Sequence, residues 1–191
     1  MEDNRKPSVK QKLIIAGIEE IEENGIQNFS MRHIAARCGV SCAAPYKHFE
    51  DKQEFLMAII RYINEEWYKL QADIIRQAGS DYRMQLIELS MAYIKFLLDN
   101  PHFRSVIMLK DVNMTEEFHK EKSKLSDMTA SIVDLYCKSV NMPEITKVRK
   151  LYIVRSLIYG ASILMDNGEL QCTDDIMEQI RRAISREFDI E

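Results

Sequence analysis

Glycine and proline are scarce, at six and four residues in a chain of 191, about half their usual combined share of roughly 12%. A β-sandwich or a βαβ protein needs more turn chemistry than that. No apolar stretch approaches the ~20 residues that span a bilayer. The opening residues MEDNRKPSVKQK are polar and lack the apolar core of a secretory leader. Four cysteines, Cys38, Cys42, Cys137 and Cys172, do not make a disulfide framework at this length, so a reducing cytoplasm is expected. The four histidines are scattered, and no nucleophile–base spacing, phosphate loop or metal motif accompanies them. Catalysis, a cofactor and a bound metal are therefore not expected. Cys38 and Cys42 beside His33 and His48 fit no common zinc spacing. Positive charge is in slight deficit, 26 Lys and Arg against 30 Asp and Glu for a net charge of −4. Taken alone, that argues against a nucleic-acid partner.

What the chain does have is helical periodicity nearly throughout. Leu13, Ala16, Ile18 and Ile21 share a first helix that stops at Asn24-Gly25. Asp51 opens a long helix reaching Ala78-Gly79, and Met84 to Leu98 is apolar on most faces, as a central helix must be. Asn100-Pro101 ends it, and a short helix is expected from His102 to Lys110. Thr115 caps a longer one, whose stripe is read as Phe118, Leu125, Met128, Ile132 and Leu135. Two more follow, from Met142-Pro143 to Asn167-Gly168 and from Thr173 onward. The reading is all-α, about nine helices.

Residues 30–49, SMRHIAARCGVSCAAPYKHF, carry the function. Ser30 caps one short helix ending near Cys38, Gly39 supplies a positive φ, and Ser41 caps a second running through His48. Two short helices joined by a tight turn containing Gly are a helix-turn-helix pattern. Local charge supports it. No acid occurs from Asn24 to Phe49, while Arg32, Arg37 and Lys47 are cationic, and Arg5, Lys6, Lys10 and Lys12 precede them. The acids are read as lying elsewhere, which leaves a cationic head surface for phosphates.

Residues 12–56 resemble the DNA-binding domain of TetR-type transcriptional regulators. The resemblance rests on Ile34-Ala35, Gly39-Val40-Ser41, Tyr46-Lys47-His48-Phe49 and Asp51-Lys52 at these spacings. It implies a three-helix head over residues 1–50 and an effector-binding and dimerisation domain over 51–191. It also implies DNA contacts from Arg32, Cys42, Ala43, Ala44, Tyr46, Lys47, His48 and Lys52. Lys47 is the long donor for a guanine edge, Ala43 and Ala44 offer methyls to thymine, and Tyr46, His48 and Lys52 hold phosphates. Cys38 stands where the family usually has Ala, and Ala43 where it often has Gly. Cys42, at a helix N-terminus near cations, is read as a minor candidate for a redox-responsive thiol.

Further along, Asn100-Pro101-His102-Phe103-Arg104 and Tyr159-Gly160 are similar to the ligand-binding half of one TetR branch. The resemblance implies an effector cavity near Trp67, Tyr93, Phe96, His102, Phe103, Met108, Met128 and Tyr136. Eleven methionines suit an adaptable apolar wall, so a small, largely hydrophobic effector is expected. Val148, Tyr152, Ile158, Ile163, Ile180 and Ile184 lie on more than one side of the last two helices, which in this family form the homodimer interface. The expectation is a repressor released from a palindromic operator by its effector. The alternative is a protein-contact module with a vestigial head.

Overall fold

The computed structural model describes residues 7–108 and 115–189. Arg5 and Lys6 of the N-terminal arm, and the Lys110 end expected for the short helix, lie outside the described residues. Among these residues there are eight α-helices, two three-residue 3-10 helices and no strand. The helices are α1 (Val9–Asn24), α2 (Met31–Arg37), α3 (Lys52–Ala78), α4 (Tyr82–Asp99), α5 (Pro101–Ile107), α6 (Glu116–Ser139), α7 (Glu144–Asp166) and α8 (Asp174–Glu187). The 3-10 helices are Ile26–Asn28 and Pro45–Lys47. The second replaces an α-helix expected from the sequence.

Local chemistry sets the ends. Ser8 and Gln11 form a reciprocal capping box on α1, each side chain accepting from the other's backbone N–H. Asp51 accepts from the Glu54 N–H at 2.8 Å, Asp81 from Met84 at 2.9 Å and Thr115 from Phe118 at 3.2 Å. Thr173 caps α8 in the same way through the Ile176 N–H. Pro101 ends α4 and at once begins α5, since its missing N–H is no loss in a first turn.

The chain divides into two compact units. The first holds the described residues up to Glu65 together with those of His102–Ser123. Leu13, Ile18, Ile34, Phe49, Phe55, Ile59, Ile60 and Ile63 are fully buried in it. Phe55 stacks on Phe49 with ring centroids 4.1 Å apart and meets Phe29 edge-on at 5.3 Å. Gly17 lets α1 approach α3 closely, because a Cβ there would lie 3.0 Å from Ile59 and 3.2 Å from Phe55. The later segment is tied in by polar contacts. Asn64 donates to the Glu121 carbonyl at 2.9 Å, Arg61 pairs with Glu121, and the rings of Tyr62 and Phe103 meet edge-on.

The second unit holds Glu66–Pro101 and the described residues from Lys124 onward. α4 packs against both α7 and α8, and its buried residues run from Gln85 to Leu97 as an all-round apolar helix requires. Trp67, Tyr93 and Phe96 cluster, with Trp67 Nε1 donating to the Leu125 carbonyl at 3.1 Å. The α6 stripe differs from the sequence reading at one place. Leu135 is exposed, while Val133 and Tyr136 are buried. Residues three and four beyond Ile132 compete for one face. Tyr136 takes it, because its hydroxyl reaches the Phe188 carbonyl.

Candidate nucleic-acid interface

α2 begins at Ser30, whose Oγ accepts from the His33 N–H at 3.4 Å. It ends in a Schellman turn: the Gly39 N–H donates to the Ala36 carbonyl at 3.0 Å and the Val40 N–H to Ala35 at 3.0 Å. Gly39 sits at φ +67°, which L side chains rarely adopt. Ala35 is fully buried, as the crossing of two helices demands. These features match the sequence reading of the first helix and the turn.

The second helix is where the structure corrects it. From Ser41 to Phe49 the chain makes tight turns and one 3-10 helix, not an α-helix through His48. The cause is Pro45. In an α-helix capped by Ser41, residue 45 would donate the first intrahelical bond to the Ser41 carbonyl, and Pro has no N–H to give. The Ala44 N–H makes that bond instead, at 2.8 Å, and Lys47 then donates to Ala44 at 3.1 Å. Those i→i+3 bonds define the tighter winding. Pro45 itself is buried, so the segment is pinned at its middle. Cys42 consequently lies in an exposed turn and not at a helix N-terminus. Cys38 is half-buried, its Sγ donating to the Lys12 carbonyl at 3.5 Å, and burial pushes its thiol up.

The side chains named for DNA contact are displayed unequally. Arg32, Cys42, Ala43 and Lys47 are exposed, as is Tyr46 at 61%, whereas Ala44 and His48 are half-buried. Lys52 has an internal task. Its Nζ donates to the Ile26 carbonyl at 3.0 Å and lies over the Phe29 ring. It holds the end of α3 against the turn after α1, with two ammonium protons left for other acceptors.

Charge also departs from the sequence reading. The acids of α1 do not lie elsewhere; they fold back onto α2. Arg37 donates to Glu23 at 2.5 Å and lies 3.8 Å from Glu19. His33 Nδ1 lies 3.4 Å from the Glu20 carboxylate. The acid-free stretch of sequence is thus not an acid-free surface. Its outward cations are Arg32 and Lys47. Glu20 was missed by sequence reasoning, which read the acids as lying away from the head surface. The spacing of His33 and Arg37 on one face of α2 is the signal that would have found their acidic partners.

The residues expected at the effector cavity fall in both units. His102, Phe103 and Met108 belong to the first, where His102 Nδ1 meets the Glu22 carboxylate of α1 and Met108 is exposed. Trp67, Tyr93, Phe96, Met128 and Tyr136 belong to the second. Burial and then the neighbouring Tyr159 hydroxyl push the Tyr93 phenol well above the usual range. A groove of about 360 Å³ lies among α3, α4 and α8 in that unit. Its wall is Ile74, Met91, Ala92 and Met177, with Glu88 and Arg181 paired at its edge, and it includes none of the residues expected from the sequence. Of the residues expected at a dimer interface, Val148, Tyr152 and Ile163 are exposed, Ile180 is half-buried, and Ile158 and Ile184 are buried.

Comparison with known proteins agrees with this geometry. The family described as bacterial regulatory proteins, tetR family, matches residues 13–59. The nucleoid occlusion factor SlmA of Marinobacter nauticus is 29% identical over 98 residues, 51% of this chain and 50% of that protein. The chain thus spans half of SlmA's length. The uncharacterized HTH-type transcriptional regulator YobS of Bacillus subtilis is 22% identical over 177 residues, covering 91% of this chain and 88% of the other. A TetR family transcription regulator from Marinobacter aquaeolei VT8 superposes with a TM-score of 0.79 at 21% identity, covering 93% and 94% of the two chains. No helix among the described residues is long and apolar enough to cross a membrane. Residues 13–59 thus match the helix-turn-helix domain of bacterial regulatory proteins of the tetR family, and the chain has the fold of solved TetR-family structures.

Proposed function

We propose that this regulator is a homodimeric repressor that holds a palindromic operator and releases it when a small, largely hydrophobic effector binds. Residues 1–50 are assigned to DNA and residues 51–191 to the effector and the second subunit. The observation that carries the reading is the surface of the helix-turn-helix, where Arg32, Tyr46 and Lys47 are outward while Phe49 is buried in the stack with Phe55. A buried anchor behind an outward Tyr-Lys pair suits insertion into the major groove with phosphates held on its rim.

Dimerisation is supported by α7, whose Ile145 and Tyr152 are 79% and 73% exposed, with Val148 on the same face. Such a row on one helix suits a two-fold partner. Effector binding in the later domain is supported by the aromatic cluster at Trp67 and the methionine-walled groove. The ligand favours a conformation in which α3 is displaced, which changes the separation of the two heads. Each tenfold loss of operator affinity needs about 1.4 kcal/mol of differential ligand binding.

The test is selection of bound sequences from a random DNA pool, followed by titration of the selected duplex with Lys47→Ala and Lys52→Ala. Lys47→Ala should relax preference at one position per half-site, and Lys52→Ala should weaken all sequences alike. Two variants binding like wild type would remove the docking scheme. A failure to select any sequence would favour a protein-contact role instead.

A further inference from the structure

The contacts of α4 and α8 run in opposite directions along the two helices, so the pair is antiparallel. Arg83 of α4 reaches the Ser185 and Phe188 carbonyls, and Glu88 takes both terminal nitrogens of Arg181, one of them at 3.0 Å. Continued in the same register, Lys95 of α4 falls opposite Asp174 in the first turn of α8, and both line the groove between the helices. The α4 side of that groove is a single stripe from Glu88 to Lys95, and the α8 side a single stripe from Asp174 to Arg181. Most of the charge on these stripes is matched. Glu88 and Arg181 hold each other, and Glu178 accepts from Arg182 at 2.9 Å. Lys95 and Asp174 are exposed, and neither has an ion-pair partner among the described residues. Between the closed clasp and this open end lie Met91, Ala92 and Met177, with Ile74 of α3.

We propose that the groove takes an extended apolar molecule with a zwitterionic head, of the class of long-chain α-amino acids, its carboxylate on Lys95 and its ammonium on Asp174. This rests on the effector-binding reading above and names the ligand class. The volume of about 360 Å³ falls within the range of small-molecule sites. Each stripe runs for two turns, about 10 Å, which suits an extended chain over a compact one. Methionines give such a chain an adaptable wall. The Glu88–Arg181 clasp leaves no unmatched charge at its end, so the polar head belongs at the open one. There a lone anion meets Asp174 as a like charge, and a lone cation meets Lys95 as one. A head bearing both signs makes two charge-assisted bonds and meets no repulsion.

The experiment titrates the full chain by calorimetry at neutral pH with three molecules that share one tail: α-aminodecanoic acid, decanoic acid and decylamine. The wild type is expected to bind the amino acid about tenfold tighter than either of the others, since one charged bond is gained and one like-charge contact avoided. Lys95→Gln should lose the preference over decylamine and keep that over decanoic acid. Asp174→Asn should do the reverse. Both side chains are exposed, and a structural defect would not divide the two preferences in this way. Any other order of affinities in the wild type, absence of binding included, overturns the proposal, as does an unchanged order in either variant. Operator binding is measured alongside on the selected duplex. The expected order without operator release removes the release reading and keeps the groove. Release by decanoic acid or decylamine without that order keeps the release reading and removes the groove.

Discussion

Arg37 of α2 donates to the Glu23 carboxylate of α1 at 2.5 Å, and its other terminal nitrogen lies 3.8 Å from Glu19. The pair removes from the proposed DNA surface a cation that the sequence offered to it.

Salt dependence separates the cations that meet phosphate from those that only hold the fold. The slope of log affinity against log salt is about −0.9 per phosphate neutralised. Arg32→Gln and Lys47→Gln should each flatten the slope by about one contact if that side chain meets a phosphate, whereas Arg37→Gln should leave it as in wild type. Titration of a duplex at four or more salt concentrations reads this directly. A flattened slope in Arg37→Gln would show that its ion pair opens on DNA.

Pro45 holds the recognition segment in its tight winding, so Pro45→Ala should restore an N–H able to reach the Ser41 carbonyl. An α-helix running back to Cys42 is the expected result, seen in NMR secondary shifts of residues 42–48. Unchanged shifts there would mean that the Phe49 anchor sets the winding and Pro45 does not.

These two residues also mark what was legible in the sequence. Caps at Ser30 and Thr115, the positive-φ turn at Gly39 and the stripe of α1 depend on near neighbours along the chain, and each was read from spacing alone. The partner of Arg37 was not, because Glu23 lies fourteen positions away, in another helix. Pro45 is visible in the sequence, but a proline in a first helical turn commonly does no harm. It occupies instead the first position that must donate. His102 reads as a polar ligand contact until the fold brings Glu22 to it.

Gly17 tests the packing of α1 on α3. Alanine in a helix interior is favoured over glycine by about 1 kcal/mol. The added Cβ would stand 3.0 Å from Ile59 and 3.2 Å from Phe55, both fully buried, and overpacking costs about 1–3 kcal/mol. The second effect is expected to win, so Gly17→Ala should lower the midpoint of thermal unfolding. A raised midpoint would show that the Ile59 side chain can move aside.

Lys147 donates to Asp134 at 2.8 Å, joining α7 to α6. The Lys147 hydrogen bond and charge hold the Asp134 carboxyl below its ordinary value, and Asp134 in turn raises the Lys147 ammonium. A depressed carboxyl contributes stability above its unfolded value, near pH 4, that is lost as pH falls through the folded one. Asp134→Asn should therefore reduce stability slightly at pH 7 and flatten its decline in acid. Asp134 is solvent-exposed and Lys147 half-buried, so the effect is small and screened by salt. Parallel urea curves at pH 7 and pH 3 measure it, and identical acid sensitivity in the two proteins would remove the pair from the account.

The C-terminal end of α8 offers the sharpest stability test. The last carbonyls of a helix have no partner within it, and here they are met from other helices. Arg83 of α4 donates Nε to the Phe188 carbonyl at 3.1 Å and Nη2 to the Ser185 carbonyl at 3.0 Å. It also reaches the Ser185 hydroxyl and the Asp189 carboxylate. Its charge sits at the negative end of the α8 dipole. The Tyr136 hydroxyl of α6 donates to the same Phe188 carbonyl. Arg83→Met keeps the apolar stem and removes every donor, so a loss of about 2–4 kcal/mol is expected, since bonds to charged groups exceed neutral ones. Tyr136→Phe removes one neutral bond and should cost about 1 kcal/mol. Trp67 is the only tryptophan in the chain and is buried in the same unit, so its fluorescence in urea reports this unfolding. The order should be Arg83→Met well below Tyr136→Phe, and Tyr136→Phe below wild type. If Arg83→Met unfolds at the wild-type midpoint, water serves the α8 carbonyls as well as the guanidinium does, and this anchor does not hold the helix.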